Sequence, residues 1–300
     1  MTPLLAIGLL LAAPALARAH GDVADALPLT WTHDPWIVVP LYASAALHLV
    51  GFRRLWRRAG PGHGVRTWQV ACFWTGWTAL ALALLSPLHW LGERLFFAHM
   101  IEHEVLMVIA APLLAVARPL GAFLWAVPQY WRMRLGAAAQ VPLIAVPWRV
   151  LRNPLVATLV HGVALWAWHM PLLYNAVLVD IAMHRLQHAC FFFTAVLFWW
   201  SMFYGPLRER GYGIALGCLF FTSLHSAVLG IFLTLARQPW YPQQGEFAAM
   251  CGLTPLEDQQ LAGLVMWIPP GLIYLGFALF FAARWISRAG YAGGRHAFSQ

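Results

Sequence analysis

Two pairs of histidines, each spaced i, i+4, carry the chemistry legible in this chain. One is His99 and His103 in Ala98-His99-Met100-Ile101-Glu102-His103; the other is His184 and His188 in Met183-His184-Arg185-Leu186-Gln187-His188. On a helix that spacing puts both imidazoles of a pair on one face, and it places Glu102 one turn from His99. His169, in Trp168-His169-Met170-Pro171, and His89, in Pro87-Leu88-His89-Trp90, add two more imidazoles. Converging imidazoles suit copper, zinc and iron, and the thioether of Met170 beside His169 tilts the choice toward Cu(I). Glu102 as a further ligand would harden such a site. A zinc protease is disfavoured, because His103-Glu104 has no second His at the spacing that motif needs. Two other readings stay open: axial histidines of a haem b, or histidines that only hydrogen-bond across helix interfaces.

Composition decides what positions these side chains. Of 300 residues, 61% are hydrophobic and 10% charged, against roughly 45–50% and 25% in soluble globular chains. With a mean hydropathy of +0.65, the chain reads as all-α and polytopic, neither soluble nor disordered. Beyond residue 20, seven apolar runs fall at approximately 36–52, 68–91, 95–117, 154–178, 184–204, 212–236 and 261–283. The first is near the lower limit for a span and the others reach or exceed twenty residues. The four cysteines form no CxxC pair or disulfide framework.

The net charge of +8 is carried by Arg alone, in short clusters between the runs. This is a membrane-topology signature and not a groove for nucleic acid. Arg53, Arg54, Arg57, Arg58, the arginines of the 118–153 loop, Arg208, Arg210 and those after residue 283 all fall on one side. Arg94, Arg185 and Arg237 fall on the other. Basic loops stay inside, so seven helices with the N-terminus outside and the C-terminus inside are expected. The first 19 residues, ending Ala17-Arg18-Ala19, read as a secretory signal peptide whose removal would expose His20. Residues 20–300 then form one transmembrane domain. Its loop 118–153, punctuated by Pro119, Pro128, Pro142 and Pro147, lies on the inner membrane surface.

This topology sets His89, His99, His103, His169, His184 and His188 at similar depth, just beneath the outer face, on four helices. A histidine inside a bilayer needs a partner or a role. Pro255, Glu257 and Asp258 read as the first turn of the last helix, and the outer acids are available to attract a cation or a basic partner. Pro269-Pro270 further along should kink that helix.

Several segments together resemble the CtaG family, assembly factors of caa3-type cytochrome c oxidases. They are His99-Met100-Ile101-Glu102-His103 with Ala111-Pro112-Leu113-Leu114, His169-Met170-Pro171-Leu172-Leu173-Tyr174, and His184-x3-His188 followed by Phe198-Trp199-Trp200. The others are Asp34-Pro35-Trp36 and Asp258-Gln259-Gln260-Leu261-Ala262-Gly263-Leu264-Val265-Met266-Trp267-Ile268-Pro269. The resemblance covers roughly residues 31 to 285. It implies a multi-pass protein of the bacterial plasma (inner) membrane, not an enzyme, needed to assemble a haem-copper oxidase through its copper. The partners it implies are oxidase subunits, with a periplasmic copper donor upstream.

The topology has a direct test. A fluorescent protein fused after residue 300 is expected to fluoresce in the cytoplasm, and alkaline phosphatase fused near residue 240 to be active outside. The reverse pattern would overturn the assigned orientation.

Overall fold

The computed structural model describes residues 30–205 and 212–297, which form helices and connecting turns with no strand among the described residues. The expected signal peptide and His20 lie outside the described residues. Helix α1 (Pro35–Ala59) leads to α2 (Thr67–Leu85), the short α3 (Pro87–Gly92) and α4 (Phe96–Ala117). Three short helices follow, α5 (Pro119–Ala126), α6 (Gln129–Ala138) and α7 (Pro142–Leu151). After these come α8 (Pro154–Trp168), α9 (Pro171–Val179), α10 (Ile181–Tyr204), α11 (Tyr212–Thr234) and α12 (Pro255–Ala297).

Proline and cap chemistry set most of the boundaries. Pro35, Pro87, Pro119, Pro142, Pro154, Pro171 and Pro255 each stand in the first turn of a helix, where the missing N–H costs nothing. Asp34, Ser86, Asn153 and Asp180 precede α1, α3, α8 and α10, and each side chain accepts a hydrogen bond from the backbone N–H two residues on. Thr254 and Glu257 form a reciprocal capping box at the start of α12.

The same prolines correct two of the expected spans. The apolar run 68–91 is two helices, broken at Ser86-Pro87. The run 154–178 is likewise broken between Trp168 and Pro171. Helix α8 therefore has 15 residues, about 22 Å, short of the roughly 30 Å hydrocarbon layer. Among the described residues six helices are long and apolar enough to cross a membrane, and a seventh span arises only if α7 and α8, bent by 82° at Arg152-Asn153, are counted together. The prolines of the 118–153 loop do divide it as expected, and α6 and α7 bury no side chain. Helix α12, by contrast, runs through Pro269-Pro270 as one helix of 43 residues.

Helix α4 is the centre of the bundle and α1 its periphery: 72% of the most apolar stretch of α4 is buried, against 17% for α1. Helix α4 packs on α2, α10 and α12, while α1 is held chiefly by α5. Within α4, residues Val105–Ala110 form a π-helical turn. The Ala111 N–H bonds the Leu106 carbonyl five residues back, just before Pro112, which has no N–H to offer. Widening the helix there removes the ring's conflict with the preceding turn.

Small residues let the last two helices touch. A methyl group at Gly263 would lie 2.5 Å from the Gly230 carbonyl oxygen of α11, whereas one at Gly271 would meet nothing within 4 Å. In a bilayer, such backbone contact replaces the hydrophobic drive that water supplies elsewhere. Gly263→Val is therefore expected to destabilise the bundle by about 1–3 kcal/mol, as overpacking does. Gly271→Val on the same helix should be near neutral in thermal unfolding of the detergent-solubilised protein.

Candidate metal centre

Four side chains converge at one end of the bundle. His99 and Glu102 of α4 and His184 and His188 of α10 each offer one ligand atom, and these atoms all lie within 4.8 Å of one another. All four residues are buried, Glu102 completely. Adjacent turns of α4 and α10 supply two ligands each, which is the geometry the spacing requires.

The hydrogen bonds around the quartet leave one potential ligand atom on each member without a partner. His89 of α3 lies with Nδ1 2.6 Å from Glu102 Oε1, and this fixes the carboxylate while Oε2 keeps no protein partner. Gly92, one turn after His89, makes room for it, since a methyl group there would stand 2.8 Å from Glu102 Oε2. His99 Nε2 faces Gln187 Oε1 at 3.2 Å, leaving Nδ1 unpartnered. An imidazole that donates from one nitrogen offers its lone pair on the other, as metal-ligating histidines do. The Nε2 atoms of His184 and His188 are likewise buried without a partner.

The other expected residues fall into distinct places. His103 packs its ring 4.1 Å from that of His99 and 5.0 Å from that of His188, with both nitrogens buried and unpartnered. It borders the quartet one turn deeper. His169 caps the end of α8, where its Nδ1 donates to the Leu165 carbonyl at 2.7 Å; its Nε2 is buried and unpartnered. Met170 is 56% exposed at the start of α9, and the structure does not bring it to the cluster.

Asp258 corrects the reading of the last helix. It is buried, and its carboxylate accepts from the Phe96 and Phe97 N–H groups at 2.8 and 2.9 Å. It thus caps α4, the helix bearing His99 and Glu102, and is not an acid free to attract a cation. Gln259 and Gln260 have structural partners too. Gln259 accepts from the Trp240 N–H and donates to the Leu233 carbonyl, and Gln260 donates to the Ala236 carbonyl. The polar triplet that opens α12 ties the α11–α12 connection and the start of α4 together.

Sequence reading missed four residues around the centre. Gln187, completely buried, lies between the two α10 histidines and orients His99; a Gln inside an apolar run is the signal that marks it. Tyr174, Tyr241 and Gln244 roof the site. Tyr174 donates to Gln244 Oε1, Gln244 Nε2 donates to the Gly92 carbonyl, and Tyr241 donates to the His169 carbonyl. Burial pushes the Tyr241 phenol above its ordinary range, so it stays a neutral donor. Two of the four lie in the connection between α11 and α12, where no pattern announces them.

A multi-pass helical membrane protein with a buried His₃Glu centre is the class that fold and site define. The family model of the cytochrome c oxidase caa3 assembly factor (Caa3_CtaG) matches residues 46–288, and the chain belongs to that family. No curated protein and no solved structure matches the chain.

The cap on α4 is directly testable. Asp258→Ala leaves the buried Phe96 N–H and the part-buried Phe97 N–H without an acceptor and is expected to cost about 1–2 kcal/mol, the scale of a lost helix cap. Asp258→Asn, which keeps one acceptor oxygen, should lose less in the same thermal unfolding experiment.

Proposed function

We propose that this chain assists assembly of a haem-copper oxidase by binding copper at the His99, Glu102, His184 and His188 centre and passing it on. The observation that carries the reading is a set of four buried donors from two helices, each with an unpartnered ligand atom, in one small volume. Buried polar atoms are almost always hydrogen-bonded, and a group of them left unpaired together points to a missing partner they share. A tetrahedral ion with bonds near 2.0–2.1 Å holds its ligand atoms about 3.4 Å apart, so binding draws the side chains together by about 1 Å.

Donor type favours a borderline metal over magnesium or calcium, which prefer oxygen-only sites. Met170 contributes no sulfur here, so the three imidazoles and one carboxylate suit Cu(II) as well as Cu(I). A single small ion fits better than haem. The imidazole rings of His99, His184 and His188 stand 4.5–5.5 Å apart, which leaves no flat slot between them for a macrocycle.

Transfer proceeds by ligand exchange. A periplasmic donor approaches the histidine end, which the arginine distribution places outside. The ion passes to the buried quartet, with His103 and His169 offering further unpartnered nitrogens next to it. It leaves to a copper-binding subunit of the oxidase when that subunit's ligands replace these. Glu102 supplies the negative charge that holds the cation in an apolar bundle, and His89 keeps that carboxylate oriented. No covalent catalysis is involved, and the site belongs in the bacterial inner membrane.

Two measurements check the reading. Purified wild-type protein incubated with copper and passed over a desalting column is expected to retain about one ion per chain, with little iron. Replacing His99, His103, His184 and His188 together by Ala should abolish retention and lower the copper content of the oxidase in cells. Unchanged oxidase copper in that variant would contradict delivery and favour a metal-free scaffold. His89→Ala is expected to weaken copper affinity about 10–100-fold without abolishing binding, the usual effect of removing the group that orients a ligand.

A further inference from the structure

A cavity of about 550 Å³ lies between α1 and the body of the bundle, and at one end it reaches His89, His184 and His188. Its wall on α10 runs from Ile181 to Trp200, so it is about 28 Å long, close to the full hydrocarbon depth. Trp36, Leu120, Ile181 and Phe193 of its lining are exposed, so it is a groove open along one side, and its volume limits what it holds. A transmembrane helix, about 10–12 Å wide with its side chains, does not fit. One linear hydrocarbon chain does, since carbon atoms in contact stand about 4 Å apart.

The polar groups are segregated. Asp34, His89, Glu93, His184, Arg185 and His188 line one end. Along the rest, the wall is aliphatic and aromatic, and the hydroxyl of Ser44 is spent on the Leu41 carbonyl at 2.6 Å. The cavity therefore matches an amphiphile with one apolar tail and a head at the histidine end. Charge selects the head. Arg185 is paired with Asp34 at 2.7 Å and Glu93 with Arg94 at 3.2 Å. Among the described lining residues near the head no cation is left to hold a phosphate, whereas the imidazoles can meet a neutral oxygen.

We infer that this groove binds a single-chain amphiphile with a neutral, oxygen-bearing head, the chemistry of an isoprenoid quinone or quinol, with the head against His89, His184 and His188. A diacyl phospholipid fails on its anionic head, which finds no unpaired cation among the described lining residues. The inference rests on the cavity alone and does not depend on which ion the histidines hold. Where copper is bound, head and ion share His184 and His188, so the ligand lies in contact with the metal centre.

The test uses the full chain extracted with its surrounding lipid in polymer-bounded discs. Organic extraction and mass spectrometry should find about one quinone per chain, several-fold above its share of the membrane. Ser44→Trp, which fills the groove from α1 and is no part of the histidine cluster, should remove that enrichment and leave copper retention unchanged. Ser44→Ala should keep both. A second readout needs no variant: decylubiquinone should bind the lipid-stripped wild-type protein saturably, measured by thermophoresis. Phospholipid alone in the extract, or no saturable quinone binding, would overturn the inference. Loss of copper retention in wild type with quinone still bound would instead count against the metal reading and leave this one standing.

Discussion

Unpaired polar atoms in an apolar interior are the constraint on which this structure turns. Transferring a hydroxyl or amide out of water without a partner costs a few kcal/mol, and a carboxylate costs far more. The bundle nevertheless encloses Glu102 and five histidines within two turns of one another, with Glu102 Oε2 and several ring nitrogens unsatisfied. Elsewhere many buried donors are matched, as where Trp199 donates to the Met107 carbonyl, Tyr204 to the Val116 carbonyl and Trp77 to the Leu41 carbonyl, and the unmatched ones, such as Thr222 Oγ1 and the His225 nitrogens, are scattered. The deficit is densest at this cluster, and a cation would satisfy its imidazole lone pairs and carboxylate oxygen together.

The rest of the fold can be understood as the means of holding that deficit in place. Helix α4 bears His99 and Glu102, and it is the most enclosed span. Its first turn is fixed by the Asp258 carboxylate from α12, and its π-helical turn sets the phase between the site and the deeper half that packs on α2 and α10. Residues of the α11–α12 connection close the histidine end through Tyr241 and Gln244. These contacts hold the two helices that bear the quartet in register with one another.

Much of this is legible in the sequence, for reasons particular to membranes. An apolar run of twenty residues has few alternatives to a helix, so spacing alone assigns the two i, i+4 histidine pairs to helix faces. Five of the six long spans fall where the hydropathy puts them, and His99, Glu102, His184 and His188 do converge. What hydropathy does not give is the interruption of runs by proline. Pro171 ends the fourth run early, while Pro269-Pro270 leaves α12 continuous. Nor does it distinguish an acid facing solvent from one reaching across to a neighbouring helix. Asp258 sits in the first turn of its own helix, where a carboxylate is expected on local grounds, yet its partners are Phe96 and Phe97, 162 and 161 positions away. Met170 misleads for a similar reason: adjacency to His169 in sequence says nothing about direction in the turn between Trp168, where one helix ends, and Pro171, where the next begins.

The central claim is that the buried quartet is a copper site built from nitrogen and oxygen alone. X-ray absorption at the copper edge of the loaded protein tests it most directly. The account predicts a single shell of three to four nitrogen or oxygen scatterers near 2.0 Å, with the multiple-scattering pattern of imidazole and no sulfur. A copper–sulfur shell near 2.3 Å, or an imidazole pattern that survives unchanged when His99, His184 and His188 are replaced, would contradict it.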